Sequence, residues 1–582
     1  MQNYARRRRF LAVSSAAALA VAGPLVLAAP AFGQVSGVPT RDELKGIAAP
    51  AVQAPSQLSI EGGIERSPCP LADPQFKDVT VTIGAVTFNG LKEISEAELA
   101  PAWQPFAGTV QPVAVLCEVR DAAATILRNK GYLAAVQVPT QRIENGQVRM
   151  EVLYAKVSAV RARGETQGVE TKLEQYLGKL AEGEVFNRFR AERYLLLARD
   201  LPGYNIQLTL RPAGTGPGEL IGEVTVVRQP YVVDLTIQNL AAEATGRWGG
   251  QVRAQLFGLT GMGDSTALSY YATGDFKEQH IAQAMHEFRP GGEGLVVGGQ
   301  FTYAWTKPDI GGTGAGIDAR TMFASLYGRY PAVRRQGHNL WLSGGADFIN
   351  QDVDLIGPLT RDKVRVGWLR LDYDAIDLSS PRPGWRLAGT LELRQGLNIL
   401  DATRTCIGAG CAGTTPTSRA DGSPSATVLR AEGEAEIALG RDLSFSLAPR
   451  AQYAFKPLLS FEEFSAGNYT VGRGFDPGAV QGDSGVGASA ELRGPRLAIT
   501  SNSDLRIQPY AFFDAAWAWN KGVSGSDRLF SAGGGVRAEL GGRFRLDASL
   551  AVPLETAPLQ TARGKARFLV TLTTRLLPWR TK

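Results

Sequence analysis

The sequence predicts a mainly β protein, a transmembrane β-barrel of about 16 strands preceded by two small periplasmic α+β domains. Three observations predict it. From Tyr231 onward the apolar residues alternate at period two rather than at helical spacing. No apolar run beyond the N-terminus reaches the ~20 residues of a membrane helix, so a membrane-spanning chain must close as a barrel. Residues 78–228 run twice through the order strand, helix, helix, strand, strand.

Residues 1–33 read as an export signal. Arg6–Arg9 supply the basic end and Phe10–Ala29 the apolar part. Ala31 and Gly33 suit cleavage before Gln34, with Ala31 a second candidate. A membrane anchor is the alternative, disfavoured by the short, Ala-rich stretch. Twin-arginine export at Arg7-Arg8-Arg9-Phe10-Leu11 is another, but it carries folded cargo, and a barrel folds only at its membrane. Without its four Arg, the 62 basic residues fall to 58 against 56 acidic ones, a net charge of +2. Nothing in that balance calls for nucleic acid.

Residues 34–77 form a Pro-rich linker with room for a short helix at Arg41–Ile47. Residues 78–156 are the first α+β domain: a strand at Val79–Asn89, a capping box at Ser95 and Glu98, and a helix at Val113–Asn129. Strands Leu133–Arg142 and Gln147–Val157 follow, joined at Glu144-Asn145-Gly146. Residues 157–228 repeat the order, with helices at Val169–Leu180 and Asn187–Arg199 and strands at Val157–Arg163, Tyr204–Pro212 and Glu219–Arg228. An unrelated pair of domains is the bland alternative.

Residues 229–582 form the barrel. In Leu429–Leu439, apolar Leu429, Ala431, Ala435, Ile437 and Leu439 alternate with Arg430, Glu432, Glu434 and Glu436. One face suits lipid and the other a wet lumen. Strands begin near residues 230, 247, 265, 281, 295, 319, 339, 363, 385, 425, 443, 486, 505, 528, 543 and 564. If the first strand rises from the periplasm, the short turns Gly261-Met262-Gly263, Gly440-Arg441-Asp442 and Gly541-Gly542 are periplasmic, and the long loops 400–424 and 457–485 face outward.

Chemistry-bearing motifs exclude more than they propose. Gly482-Asp483-Ser484-Gly485 has the look of a protease nucleophile segment, but His280, His286 and His338 are scattered along the barrel away from it. The expectation is no enzyme, no catalytic residue, no cofactor and no metal. The four cysteines, Cys69, Cys117, Cys406 and Cys411, are even in number in an exported chain, which favours disulfides. Proximity in sequence suggests one within each half of the chain. A zinc site at Cys406 and Cys411 is the competing reading, with no His nearby.

The stretch Phe464–Arg493, FSAGNYTVGRGFDPGAVQGDSGVGASAELR, falls after the eleventh strand and so in the sixth outer loop. Here the chain resembles the two-partner-secretion transporters (TpsB proteins of the FhaC/ShlB/HecB type). That family joins two periplasmic POTRA domains to a barrel of about 16 strands. Its sixth loop folds into the lumen and carries a Val-Arg-Gly-Tyr/Phe tip. The matching residues are Arg473, Gly474 and Phe475, followed by Gly482, Asp483 and Glu491-Leu492-Arg493. Gly472 interrupts the tip between Val471 and Arg473. The family's Phe-x-Asp-x-Gly motif on the thirteenth strand corresponds to Phe512, Asp514 and, in place of Gly, Ala516. The chain ends Trp579-Arg580-Thr581-Lys582 where such barrels often end on an aromatic.

The resemblance implies a protein-secretion function. The two α+β domains would be POTRA-like and would capture an unfolded exported partner, a large TpsA-like exoprotein, which the barrel would conduct to the cell surface. It also implies contact with outer-membrane lipid, insertion by the barrel-assembly machinery, and a monomeric barrel. Independently of the family, an Arg fork on a carboxylate is a defined anchor for a long loop that would otherwise keep its conformational entropy. Alternation places Asp514 on one face with Gln508, Tyr510 and Phe512, so an Arg473–Asp514 pair is expected, against a merely solvated Arg473. The rival functions are a barrel-assembly protein of the same superfamily, which usually carries more POTRA units, and a passive porin, which has no use for residues 78–228.

Overall fold

Two small α+β units of one topology precede the barrel. The computed structural model describes residues 38–48, 69–183, 185–216, 218–309, 316–380, 382–404, 415–498, 504–558 and 560–578. In the first unit, strand Ala85–Asn89 runs parallel to Gln147–Tyr154, which pairs antiparallel with Ala134–Gln137. Helix Val115–Asn129 packs Leu116, Val119, Ala123 and Leu127 onto that sheet. In the second unit, Lys156–Gly164 runs parallel to Glu219–Arg228, which pairs antiparallel with Tyr204–Pro212. Helices Glu170–Ala181 and Arg188–Arg199 cover one face of that sheet. Asn187 caps the second helix, its side chain accepting from the backbone N–H groups of Phe189 and Arg190.

Local departures from the sequence reading have local causes. The strand expected at Val79–Asn89 divides into Thr80–Thr82 and Ala85–Asn89. Gly84 lies under the Asn145-Gly146 turn and donates to the Gly146 carbonyl, and the two halves join different sheets. Thr80–Thr82 pairs instead with Val110–Pro112, a strand absent from the sequence reading. The strand expected at Leu133–Arg142 is confined to Ala134–Gln137. Cys69 and Cys117 form a disulfide, Cα–Cα 6.0 Å, that ties the entry of the first unit to its long helix. Cys406 and Cys411 lie outside the described residues.

From Tyr231 the chain closes a barrel of sixteen antiparallel strands among the described residues, the twelfth, Ser484–Arg493, resuming briefly at Leu497–Ala498. The expected starts agree with the observed ones. The widest gap is at the eighth strand, Pro358–Ile376, expected near 363. Large apolar side chains point outward: Leu429, Ile437, Leu447, Tyr453, Phe455 and Leu550 are all well exposed, as a lipid-facing wall requires. The last strand, Arg567–Leu577, closes on the first, Tyr231–Gln238, and the Asn239 side chain prolongs the seam by accepting from the Val570 N–H and donating to the Phe568 carbonyl.

The second α+β unit docks on the periplasmic turns. Arg334 forks onto Asp200 at 2.7 and 2.8 Å, Lys172 donates to the Gly291 carbonyl, and the Gln336 N–H donates to Glu192. These contacts fix which barrel end each turn belongs to. An epitope inserted at Asp442 is therefore expected to stay unlabelled on intact cells, and one at Gly410 to be labelled. Equal labelling of the two would refute the strand parity.

Candidate functional site in the barrel lumen

The lumen is occupied by two segments of the chain itself. One is the helix Arg41–Ala48, which lies inside the barrel rather than in an open linker. Leu44 packs among Tyr271, Ile281, Ile349 and Val364 of the wall. Arg41 donates to Glu392 at 3.1 Å, Arg450 donates to Asp42 at 2.8 Å, and Gln279 donates to Glu43 at 3.3 Å. Only Pro74–Phe76 and Pro70–Ala72 of the remaining described linker form short turns, and Leu71 and Phe76 pack on the first unit's core.

The other segment is the sixth outer loop, between the eleventh strand, Ser444–Ala454, and the twelfth. Its tip meets the thirteenth strand, Leu505–Trp519. Alternation turns Tyr510, Phe512 and Asp514 inward, and Phe513 outward. The Arg473 guanidinium forks onto Asp514, Nη2 to Oδ1 at 2.7 Å and Nε to Oδ2 at 3.1 Å. Its backbone N–H donates to Asp514 Oδ2 at 3.0 Å. Nη1 donates to Glu491 at 2.7 Å, and the group stacks 3.6 Å above the Phe512 ring. Asp514 is 0% exposed and also accepts from Ser489 and Ser531. A doubly bonded, stacked guanidinium with a desolvated partner is a much firmer anchor than a solvated surface pair.

Glycines admit the loop to the wall. A Cβ on Gly474 would lie 2.8 Å from the Pro553 nitrogen and 2.9 Å from Ser531 Cβ, so no other residue lets the tip come this close. Gly472, the residue that interrupts the tip motif, has φ +117° and would drive a Cβ into Leu529. Phe475 is buried with Phe464, Val471 and Leu529. Ala516, standing where the resemblance implies Gly, pairs in register with Gly487, and its methyl fills the space that glycine leaves.

Asp483 is a second hub. Fully buried, it accepts from Arg419 at 2.7 Å, from the Leu458 N–H at 2.6 Å and from the Lys521 N–H at 2.7 Å. Gly482 packs on the Trp519 backbone beside it. Three outer connections thus converge on one carboxylate.

Sequence reasoning missed an anchor on the ninth and tenth strands. Glu462, in the descending limb of the loop, receives Arg394 at 2.9 and 2.8 Å and Arg430 at 3.1 Å. Arg394 is fully buried and also donates to Asp347 at 2.8 Å. The only signal in sequence was inward alternation of Arg394 and Arg430, which does not say what they meet.

A closed barrel whose lumen is filled by its own helix and loop, preceded by two α+β units of which the second docks at one mouth, defines a POTRA-bearing outer-membrane transporter. Residues 380–538 match the haemolysin secretion/activation protein family ShlB/FhaC/HecB, and residues 81–154 match the ShlB-type POTRA domain. Over these residues the chain is similar to this family of two-partner-secretion transporters, and it is located in the outer membrane with its POTRA region in the periplasm. It is similar to the heme/hemopexin transporter protein HuxB of Haemophilus influenzae, 21% identical over 486 residues, covering 80% of this chain and 82% of HuxB. In fold it is similar to CdiB from Escherichia coli, TM-score 0.71 at 16% identity, covering 92% of this chain and 96% of that one. CdiB from Acinetobacter baumannii gives a TM-score of 0.64 at 18% identity, covering 90% and 94%. A transporter of this family works on a secreted exoprotein partner.

Proposed function

We propose that the POTRA pair captures the partner as an extended chain in the periplasm, and that the partner enters the lumen as the helix Arg41–Ala48 and the sixth loop give way. The observation that carries this reading is the nature of the plug. Beside two separate apolar clusters around Leu44 and Phe475, both segments are held by ion pairs and hydrogen bonds to a polar wall, which incoming chain and water can replace. Exposed sheet edges of POTRA units suit strand addition by an extended peptide. The partner is read as a large, β-helical TpsA-like exoprotein whose folding outside supplies the driving force.

The division of the chain follows from this reading: signal peptide 1–33, linker 34–77 with its lumenal helix, POTRA domains 78–156 and 157–228, and barrel 229–582. Arg473, Gly474, Phe475, Gly482, Asp483, Phe512 and Asp514 hold the loop in its working position, and none of them is catalytic. Lipid surrounds a monomeric barrel inserted by the assembly machinery.

Deleting the gene is expected to strand the exoprotein partner in the periplasm while small-solute uptake stays unchanged. Normal export together with lost solute uptake would identify a passive channel instead.

A further inference from the structure

The plug helix and the sixth loop are bound to the same side chains of the wall. Glu392, on the ninth strand Trp385–Gly396, faces the lumen. Its Oε1 accepts from Arg41 of the helix at 3.1 Å and from Arg394 at 3.2 Å, and lies 3.7 Å from Arg430. Arg394 and Arg430 are the two cations that hold Glu462 of the loop. Arg370, paired to Asp372 at 2.7 Å, lies 3.8 Å from the other Glu392 oxygen. Arg450 on the eleventh strand makes a second bridge, donating to Asp42 of the helix at 2.8 Å and to the Ser465 carbonyl of the loop at 3.3 Å.

The helix contributes one cation, Arg41, to the first bridge. Arg41, Arg370, Arg394 and Arg430 face Asp347, Asp372, Glu392 and Glu462. Withdrawing the helix removes the Arg41 guanidinium from a largely buried cluster. Glu392 then draws more strongly on Arg394 and Arg430, and their hold on Glu462 weakens. Like charges in a low-dielectric site cannot be left unpaired cheaply.

We infer that Glu392 is a positioning residue that couples the plug helix to the sixth loop, so that departure of the helix releases the loop limb at Glu462. The coupling runs both ways, since linkage between two sites is reciprocal. It does not depend on how the exported partner is captured.

The test uses the full-length protein with Cys406→Ser and Cys411→Ser and a reporter Thr470→Cys in the loop. Arg41→Ala is expected to raise channel conductance in planar bilayers and to speed maleimide labelling of the reporter roughly tenfold, within the range of coupled sites. Glu392→Gln alone should speed labelling, and Arg41→Ala added to it should contribute nothing further. Heat-modifiability on gels controls for assembly, and Arg41→Gln replaces Arg41→Ala if the latter fails that control. Raised conductance with unchanged labelling overturns the coupling. So does full additivity of the two substitutions, or a conductance that Arg41→Ala leaves unmoved.

Discussion

Arg473→Ala is expected to reduce partner export by two orders of magnitude or so while the barrel remains assembled and heat-modifiable. Breaking a buried ion pair by removing one member costs about 3–5 kcal/mol, and each ~1.4 kcal/mol is tenfold in a population. The lower end applies here, because Glu491 keeps Arg493 and Arg537 as partners when Arg473 is gone. Asp514→Ala should cost less, since Arg473 retains Glu491 at 2.7 Å and Ser489 at 2.5 Å. Exchanging the two charges should not rescue export. A carboxylate at position 473 would face Glu491 at the same place, and it could not reproduce the donor fork. Secretion yield of the two singles and the double, read as a cycle, decides the matter. Strictly additive losses would mean that the two residues act separately, and normal export by Arg473→Ala would remove the loop from the mechanism.

Asp483→Ala is expected to loosen the outer face of the barrel. The carboxylate is 0% exposed and collects a guanidinium and two backbone N–H groups from three separate connections. Its removal takes the acceptor from the two backbone N–H groups, at about 1–3 kcal/mol for each, while Arg419 keeps Asp421 and Glu463. Trypsin added to intact cells should then cut at Arg419 or Lys521, where the parent resists. Asp483→Asn should be intermediate: its oxygen can still accept from Leu458 and Arg419, but its amide would meet the Lys521 N–H donor to donor. If Asp483→Ala resists trypsin like the parent, the hub does not hold the loops.

Much of this architecture was legible along the chain because its signals are local. Period-two alternation recurs strand by strand, so sixteen strands and their parity could be counted without knowing which strand touches which. The same alternation turned Asp514 inward, and the spacing of the loop placed Arg473 in the sixth outer connection. The repeated order of strands and helices between 78 and 228 was equally local, as was the capping box at Ser95 and Glu98. Small errors arose where one residue changes sheet, as at Gly84, because the choice between two sheets is made by partners elsewhere.

What only the tertiary structure decided concerns the lumen. The helix Arg41–Ala48 is short and carries charge on several sides, and nothing near it in sequence announces that its partner Glu392 stands 351 residues away. Glu462, Glu491 and Arg394 read in sequence as charges on a wet face. Inside the barrel they are buried, because the loop and the helix displace the water that the wall would otherwise face. A charge pattern along a strand reports which side a residue points to. Which opposite charge it meets across the lumen depends on what fills the barrel, and that is set by the closure of all sixteen strands together.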